Sequence, residues 1–426
     1  MTDTIYALSS GAPPAAIAVV RISGPRAAGA LRKLAGETLP EPRRAGLRAL
    51  VAHDGRALDR ALVLWFPAPA SATGEDLAEL HLHGGRAVVA AVEKELAALP
   101  GLRRANPGEF TRRAFVKGRI DLAEAEGLAD LLEAETELQR ASALALSQGA
   151  FSRKVEDWRR RLLALAGAVE ALLDFGDEDD VGEGGEPDWR GLEALALDLR
   201  DWLDGPRAET LREGFRVALA GPPNAGKSTL FNALVEDEAA ITSARAGTTR
   251  DVIVRSVAIS GVPFQFLDTA GLREAGGDEI EVIGMDRARA ELARADLVLW
   301  LGEEGEGPEG AWEIEPQVDL ASTVTKQVAR HRVSAVTGEG VDALRQDLVA
   351  TASAAMPRPG RVALNTRQRR LIGEALAALE SARGCPDMLV LAEHLRLARV
   401  AFDALTGRAS TEDMLDTLFA RFCIGK

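Results

Sequence analysis

The strongest chemical signal in the chain is the run Gly221-Pro222-Pro223-Asn224-Ala225-Gly226-Lys227-Ser228. Its spacing is that of a phosphate loop. The glycines let backbone amides, including those of Ala225 and Gly226, close around phosphate oxygens; Lys227 supplies a cation and Ser228 a hydroxyl for Mg²⁺. The apolar run Val217-Ala218-Leu219-Ala220 precedes the loop, and Thr229-Leu230-Phe231-Asn232-Ala233-Leu234 follows it. Strand, loop, helix is the order a working phosphate loop needs, and a chance glycine-rich turn lacks it.

Two further motifs fall in the order such a site requires. Asp268-Thr269-Ala270-Gly271 closes a second expected strand, Pro263-Phe264-Gln265-Phe266-Leu267. A carboxylate there can reach the Mg²⁺ shell, and a glycine amide can contact a γ-phosphate. Between the two lies Gly247-Thr248-Thr249-Arg250-Asp251, where a threonine can complete the Mg²⁺ coordination. Ser334-Ala335, ahead of Thr337-Gly338-Glu339-Gly340, has the form of a guanine-side loop. Taken singly each is a turn; in this order they predict a switch-type GTPase that binds GTP and Mg²⁺.

The usual base-reading Asn-Lys-x-Asp is missing. Pro316-Gln317-Val318-Asp319 keeps a carboxylate, whereas Thr325-Lys326-Gln327-Val328 keeps a lysine. The carboxylate favours the first register, because a two-pronged acceptor at Asp319 separates guanine from adenine. Leu272 follows Gly271 and cannot orient an attacking water as a glutamine would. Arg273, Glu281 or a partner molecule is left for that task. The amide oxygen of Asn224 can help bind a monovalent cation beside the phosphates.

Several elements must hold these residues. Strand and helix signals alternate from Phe215 to about Ala350, which implies a parallel α/β domain. Before it, Ile17-Ala18-Val19-Val20-Arg21-Ile22 and Ala61-Leu62-Val63-Leu64-Trp65-Phe66 read as strands of an α+β segment. From Ile120 to Asp174 the texture turns helical, with Leu122, Ala125, Ala129 and Leu132, then Leu162, Ala166, Val169 and Leu173, at helical spacing. An acidic, glycine-rich stretch spans Asp174 to Asp188, and helical texture resumes to Glu213 and again from Asn365 to Lys426. Ser410 and Asp413 suggest the start of the last helix. An α/β domain between two helical blocks suggests an insertion into a helical domain.

Composition bounds the rest. The 426 residues carry 51 Lys+Arg and 65 Asp+Glu, a net charge of −14, and the pI is near 5.1. This excludes nonspecific polyanion binding by the whole surface; a nucleic-acid partner needs a local basic patch. Two cysteines are too few for a disulfide framework, no secretory n-region is visible, and no apolar run is long enough for a membrane span. A cytoplasmic protein is expected.

Motifs outside the nucleotide site carry a resemblance. They are Arg21-Ile22-Ser23-Gly24, then Gly74-Glu75-Asp76 leading to Glu79-Leu80-His81-Leu82-His83-Gly84-Gly85, and Pro107-Gly108-Glu109-Phe110-Thr111-Arg112-Arg113-Ala114-Phe115. Phe422-Cys423-Ile424-Gly425-Lys426 completes them. With the phosphate-loop motifs, these make the chain resemble, end to end, the bacterial tRNA-modification GTPases of the MnmE (TrmE) family. The resemblance implies a multidomain α+β and α/β fold. Residues 1–117 would form a folate-binding and dimerisation domain, 118–213 with 350–426 a discontinuous helical domain, and 214–349 an inserted Ras-like P-loop GTPase domain. It implies a homodimer that works with the FAD- and NADH-using protein MnmG in a heterotetramer. Together they would install a carboxymethylaminomethyl or aminomethyl-type group on C5 of the tRNA wobble uridine. The one-carbon donor would be a 5,10-methylene- or 5-formyltetrahydrofolate.

The resemblance also implies GTP hydrolysis activated by K⁺ and by G-domain dimerisation. Asn224 and Thr248 match cation-binding positions, with Ser243 and Arg245 as backbone contributors. Ser228 and Thr249 match the Mg²⁺ positions. Glu281 matches the glutamate that acts on the attacking water, with Lys227 on the phosphates. Arg21, Glu79 and Lys426 match folate contacts, and Arg119 stands where a lysine is expected. Cys423 reads either as an interior packing residue or as a reactive thiol near the one-carbon donor.

Other signals have plainer readings. His81 and His83 sit at alternate positions of an expected strand without the further ligands of a metal site. Arg103, Arg104, Arg112, Arg113, Lys117 and Arg119 read first as a solvated basic face and otherwise as a tRNA or folate-glutamate contact. Asp177-Glu178-Asp179-Asp180 reads as a solvated loop. A ribosome-assembly GTPase and a degenerate scaffold are the competing functions; the N-terminal motifs argue against the first, and intact Lys227, Ser228, Asp268 and Glu281 against the second.

Overall fold

Alternate burial builds the first sheet. In a computed structural model that describes residues 3–175, 186–205, 208–235, 254–268, 292–320, 326–356, 362–409 and 412–425, β1 (Thr4–Leu8) pairs antiparallel with β2 (Ile17–Ser23). In β2, Ala18, Val20 and Ile22 are buried, while Ile17 is exposed and Arg21 half-buried. α1 (Ala27–Ala35), β3 (Gly46–Val51), β4 (Ala57–Phe66), β5 (Leu77–His83), α2 (Arg86–Ala98), β6 (Leu102–Arg104) and α3 (Glu109–Val116) follow. Among the described residues the sheet has six strands in the order β3-β4-β5-β2-β1-β6. The expected strand at Ala61–Phe66 is longer than its apolar run, because Ala57, Asp59 and Arg60 also pair with β3, the register shifting past Leu58.

Leu31 and Leu34 from α1 and Val89, Val92 and Leu96 from α2 pack with Val20, Ile22, Leu80 and Leu82 in one core. Each such side chain contributes about 1.5–3 kcal/mol when fully buried. The opposite face of β1 is covered where Phe110 of α3 packs on Ile5 and Ala7.

The chain divides into two compact units, Met1–Ala129 with Asp403–Lys426, and Asp130–Phe402. In the first, Leu122, Ala125 and Ala129 of α4 (Leu122–Glu133) pack with Leu415, Leu418, Phe419 and Phe422. Ser410, the expected helix start, lies outside the described residues.

The expected helical stretch from Ile120 to Asp174 is three helices. Glu133 ends α4, and α5 (Glu137–Ser147) and α6 (Ala150–Phe175) follow. Thr136 forms a capping box with Gln139, which starts α5 independently of α4. Gly149, at φ 76°, separates α5 from α6. Leu132 and Leu173, read as members of apolar stripes, are exposed at 48% and 38%. α7 (Trp189–Leu203) and α8 (Ala208–Glu213) follow. Trp158 of α6 stacks on Phe402 and meets Phe151 and Trp202 edge-on, making the aromatic centre of the helical layer.

The second sheet has β7 (Phe215–Ala220) at its middle. α9 (Lys227–Val235), β8 (Val254–Ile259), β9 (Val262–Asp268), β10 (Leu297–Trp300), β11 (Trp312–Glu315), β12 (His331–Arg332) and α10 (Val341–Ala355) complete the α/β segment. Among the described residues the order is β12-β11-β10-β7-β9-β8, all parallel except β8. β7 is buried nearly throughout, as a parallel central strand must be. Its neighbours β9 and β10 lie on opposite sides, so the strand order reverses beside it, and the crevice at its carboxyl end is where such sheets take ligands. In sequence this segment stands between helices, with α11 (Thr366–Ala382), α12 (Met388–Leu405) and α13 (Glu412–Phe419) after it.

Candidate functional site

The phosphate loop leaves the carboxyl end of β7 and enters α9 at Lys227. Gly221 has φ 148°, and a Cβ there would stand 3.0 Å from the carbonyl carbon of Leu301 and 3.1 Å from the Gly302 nitrogen. Only glycine lets the loop pass that close to the chain beyond β10. Asn224 adopts φ 63° and Gly226 φ 83°, so the loop turns through left-handed conformations on both sides of Ala225. Lys227 is buried, and its Nζ donates to the carbonyls of Gly221 at 3.0 Å and Pro222 at 2.7 Å. The ammonium thus spans the loop that would cradle the phosphates. Ser228 and Thr229 lie exposed in the first turn of α9.

The residues expected to face the base lie on two loops joined by a backbone hydrogen bond. Asp319 is exposed just after β11. The Val318 amide donates to the Val333 carbonyl at 3.3 Å, tying that loop to the one that begins at Ser334. Ser334 is fully buried, and its Oγ accepts from the amides of Val336 (3.3 Å) and Thr337 (3.1 Å), which shapes the turn bearing Ala335.

Lys326, in the other register considered for base reading, points elsewhere. Its Nζ lies 2.6 Å from Glu313 Oε2 and 3.0 Å from the Trp300 carbonyl. Gln317, which the sequence reading did not single out, reaches the phosphate loop: its Nε2 donates to the Asn224 carbonyl at 3.4 Å. Its place two residues before Asp319 was the available signal.

Asp268 ends β9 in register with Leu219, and its backbone stands beside the strand that feeds the loop. The side chain of Asp268 and all of Ser243, Arg245, Thr248, Thr249, Thr269, Ala270, Gly271, Leu272, Arg273, Glu281 and Lys426 lie outside the described residues, as does the run Asp177–Asp180. Asn224 is exposed, and its side-chain amide makes no hydrogen bond among the described residues. A neutral oxygen of that kind suits K⁺. The exposed Ser228 hydroxyl suits Mg²⁺.

A second polar group stands on the sheet of the first unit. Arg21 and Glu79 are register partners of β2 and β5. Arg21 Nε donates to Glu79 Oε1 at 2.8 Å, and His81 Nε2 lies 3.2 Å from Glu79 Oε2. His81 is thus a third member that the sequence reading left as a plain strand residue, and His83 pairs instead with Asp59 at 2.7 Å. Arg119 is exposed and shares no hydrogen bond with Arg21 or Glu79; its side chain lies against Gly74, where a Cβ would stand 3.1 Å from its Cγ. Cys423 is exposed, which corrects the reading of it as an interior packing residue. Its carbonyl accepts from Gly108 N at 3.4 Å, and Ile424 bridges to Pro107.

The basic cluster is corrected in part: Arg103, Arg104, Lys117 and Arg119 are exposed, as a solvated face requires, but Arg112 is half-buried and Arg113 is not on that face. Arg113 is fully buried, with Nη1 3.0 Å from Glu75 Oε2 and Nη2 3.1 Å from Glu109 Oε1 and 3.0 Å from Asp3 Oδ1. Arg103 bonds Glu109 and Asp3, Arg104 pairs with Glu93 at 2.5 Å, and Arg112 pairs with Glu412 and Asp416. Apart from these sites, a cavity of about 670 Å³ opens in the second unit, lined by Glu133, Gln139, Arg212, Phe264 and Gln265 among others. It is built from α5, α8 and β9 and does not include the phosphate loop.

Comparison with known proteins agrees with this architecture. The family model described as the MnmE helical domain matches residues 122–423, and that of the GTP-binding protein TrmE N-terminus matches residues 4–119. The tRNA modification GTPase MnmE of Novosphingobium aromaticivorans is 61% identical over 438 residues, covering 100% of both chains. The protein of the same name from Erythrobacter litoralis is 60% identical over 424 residues, again covering 100% of both. Among solved structures, the G domain of the T. maritima FeoB iron transporter is 26% identical and covers 32% of this chain and 98% of its own, with a TM-score of 0.23. On the family match and these full-length identities, the chain belongs to the MnmE family of tRNA-modification GTPases.

Proposed function

We propose that the chain hydrolyses GTP to drive modification of the tRNA wobble uridine, in partnership with the flavoprotein MnmG and with a tetrahydrofolate as one-carbon donor. The observation that supports this most is the phosphate loop at the carboxyl end of β7, spanned by buried Lys227 and flanked by Asp319 and Ser334. On this reading Lys227 and the loop amides, from Ala225 to Thr229, hold the phosphates, and Asp319 accepts the guanine N–H groups. Ser334 and Ala335 line the base. Asp268, Thr269, Ala270 and Gly271 follow the γ-phosphate, Ser228 and Thr249 hold Mg²⁺, and Glu281 orients the attacking water. Asn224, Ser243, Arg245 and Thr248 hold K⁺. That ion would supply, beside the phosphates, the positive charge that an arginine supplies in other GTPases.

The N-terminal residues 1–117 are read as the folate-binding and dimerising part, with Arg21, Glu79, Arg119 and Lys426 as folate contacts and Cys423 near the donor. Residues 118–213 with 350–426 are read as the helical domain and 214–349 as the G domain, which acts when two copies meet. The working form is a cytoplasmic homodimer joined to MnmG. The ion pair of Arg21 with Glu79 supports the folate reading, since it leaves a guanidinium and a carboxylate together on a strand face.

The test is mass spectrometry of wobble nucleosides in tRNA from cells lacking the gene, with and without a plasmid copy. Loss of the aminomethyl-type uridines, restored by the plasmid, is the expected result. Unchanged nucleosides would overturn the reading and leave an assembly GTPase as the alternative.

A further inference from the structure

The bond between Gln317 and Asn224 joins two parts of the nucleotide site that respond to different chemistry. Gln317 stands two residues before Asp319, on the base-side loop, and has a left-handed backbone at φ 56°. Its side chain crosses to the phosphate loop, where Nε2 donates to the Asn224 carbonyl at 3.4 Å. The same Nε2 lies 3.3 Å from where a Cβ of Gly226 would stand, so the missing side chain of Gly226 makes room for the amide. Lys326 does not compete for this place, since its ammonium is engaged by Glu313 and the Trp300 carbonyl.

Asn224 is the residue at the far end of this link. Its backbone carbonyl faces Gln317, its φ of 63° is one that few non-glycine residues adopt, and its side-chain amide is free of hydrogen bonds among the described residues. The amide is carried by the same residue whose backbone carbonyl Gln317 reaches. We propose that Gln317 is a positioning residue that couples guanine recognition at Asp319 to monovalent-cation binding at Asn224, through its side-chain bond to the Asn224 carbonyl. This rests on the reading of Asn224 as a K⁺ ligand given above.

The chemistry of the link fits the role. A glutamine amide bonds the carbonyl without placing a positive charge beside the cation, whereas a lysine ammonium there would repel it. A bond of 3.4 Å is long and carries little in the empty site; it has room to shorten when a base seats against the loop. Coupling of this kind is reciprocal, so K⁺ must tighten guanine nucleotide by the factor by which the nucleotide tightens K⁺.

The experiment measures binding of a fluorescent, non-hydrolysable GTP analogue to the full-length chain in K⁺ and in choline at equal ionic strength. For the unaltered chain K⁺ is expected to tighten binding. In Gln317→Leu, which keeps bulk but loses the donor, the K⁺ effect should shrink about two- to tenfold, the range one neutral hydrogen bond carries. Gln317→Asn, which keeps an amide but shortens its reach, should fall between the two. Thermal unfolding of the nucleotide-free proteins should be the same, which separates positioning from simple support of the fold. An undiminished K⁺ effect in Gln317→Leu overturns the coupling and leaves the Asn224 reading intact. No K⁺ effect in the unaltered chain overturns the Asn224 reading itself.

Discussion

Lys326 Nζ stands 2.6 Å from Glu313 Oε2, and the lysine is only 5% exposed. A residue that on sequence grounds could have faced the base is instead a strut that ties the chain after the base-side loop to β11 and to the end of β10 through the Trp300 carbonyl. Lys326→Ala leaves Glu313 without its partner and should cost about 3 kcal/mol, the low end for a broken buried pair, because Glu313 keeps some access to water. It should leave the preference for guanine over adenine nucleotides unchanged. Asp319→Ala should do the reverse, with unfolding near normal and the preference for guanine lost. Competition binding with GDP and ADP, beside denaturant unfolding, separates the two.

The difference between those residues shows what the sequence could disclose. The phosphate loop was legible, because Gly221, Gly226, Lys227 and Ser228 are set by local chemistry at fixed spacing. So were β2 and β9, whose apolar runs declare the strands directly. Gln317 and Lys326 were not, since a glutamine or lysine in a loop carries no local mark of its partner. What distinguishes them is that β7, β10 and β11 are adjacent in the sheet, a long-range fact. Arg113 was misread for the same reason. Its neighbours in sequence are Arg112 and Ala114, but its carboxylate partners Asp3 and Glu75 come from distant segments of the chain, outside the strands. The helical texture over Ile120–Asp174 was legible, but the break into separate helices rests on local signals such as the capping box of Thr136 and Gln139 that the apolar spacing does not display.

In the proposed function Glu281 orients the attacking water, so its removal tests the hydrolysis step alone. Glu281→Ala is expected to bind the GTP analogue as the unaltered chain does, since in the proposed function the phosphate contacts come from Lys227 and the loop. K⁺-stimulated phosphate release should fall by about 10²-fold or more, the least that loss of a positioned general base costs. Undiminished release would remove Glu281 from the mechanism.

The network around Arg113 sets an acid limit on the first unit. Burial works against the Glu109 charge, but hydrogen bonds from Arg103, the Asn106 amide and Arg113 outweigh it and hold this carboxyl below the ordinary glutamate range. For Asp3, burial is likewise outweighed by Arg113 and Arg103. A carboxyl depressed in the folded state stabilises the fold above its unfolded pKa, and that stability is lost as pH falls through the folded value. Protection of β2 and β5 from hydrogen exchange should therefore hold from pH 7 to about 5 and fall below about 4, where unfolded carboxylates take up protons. Arg113→Met should lower stability at pH 7 by about 3–5 kcal/mol, because it strands buried carboxylates, and should weaken the acid dependence. Acid dependence unchanged in Arg113→Met would refute the network as its source.

Gly108 determines whether the C-terminal segment can lie where it does. It has φ 66°, and a Cβ there would come within 2.2 Å of the Phe419 carbonyl oxygen, a backbone atom that cannot swing away. Its own amide donates to the Cys423 carbonyl, and Pro107 beside it bridges to Ile424. Gly108→Ala must therefore adopt a strained left-handed backbone, at about 1–2 kcal/mol, and also push α13 and the Cys423 segment away. The expected result is faster hydrogen exchange in α13 and around Cys423, with β2 and β5 of the same unit still protected. Because Cys423 is already exposed, its alkylation rate should change less than the exchange of its neighbours does. If exchange in α13 stays at the level of the unaltered chain, the close passage of Phe419 over Gly108 is not what holds this segment.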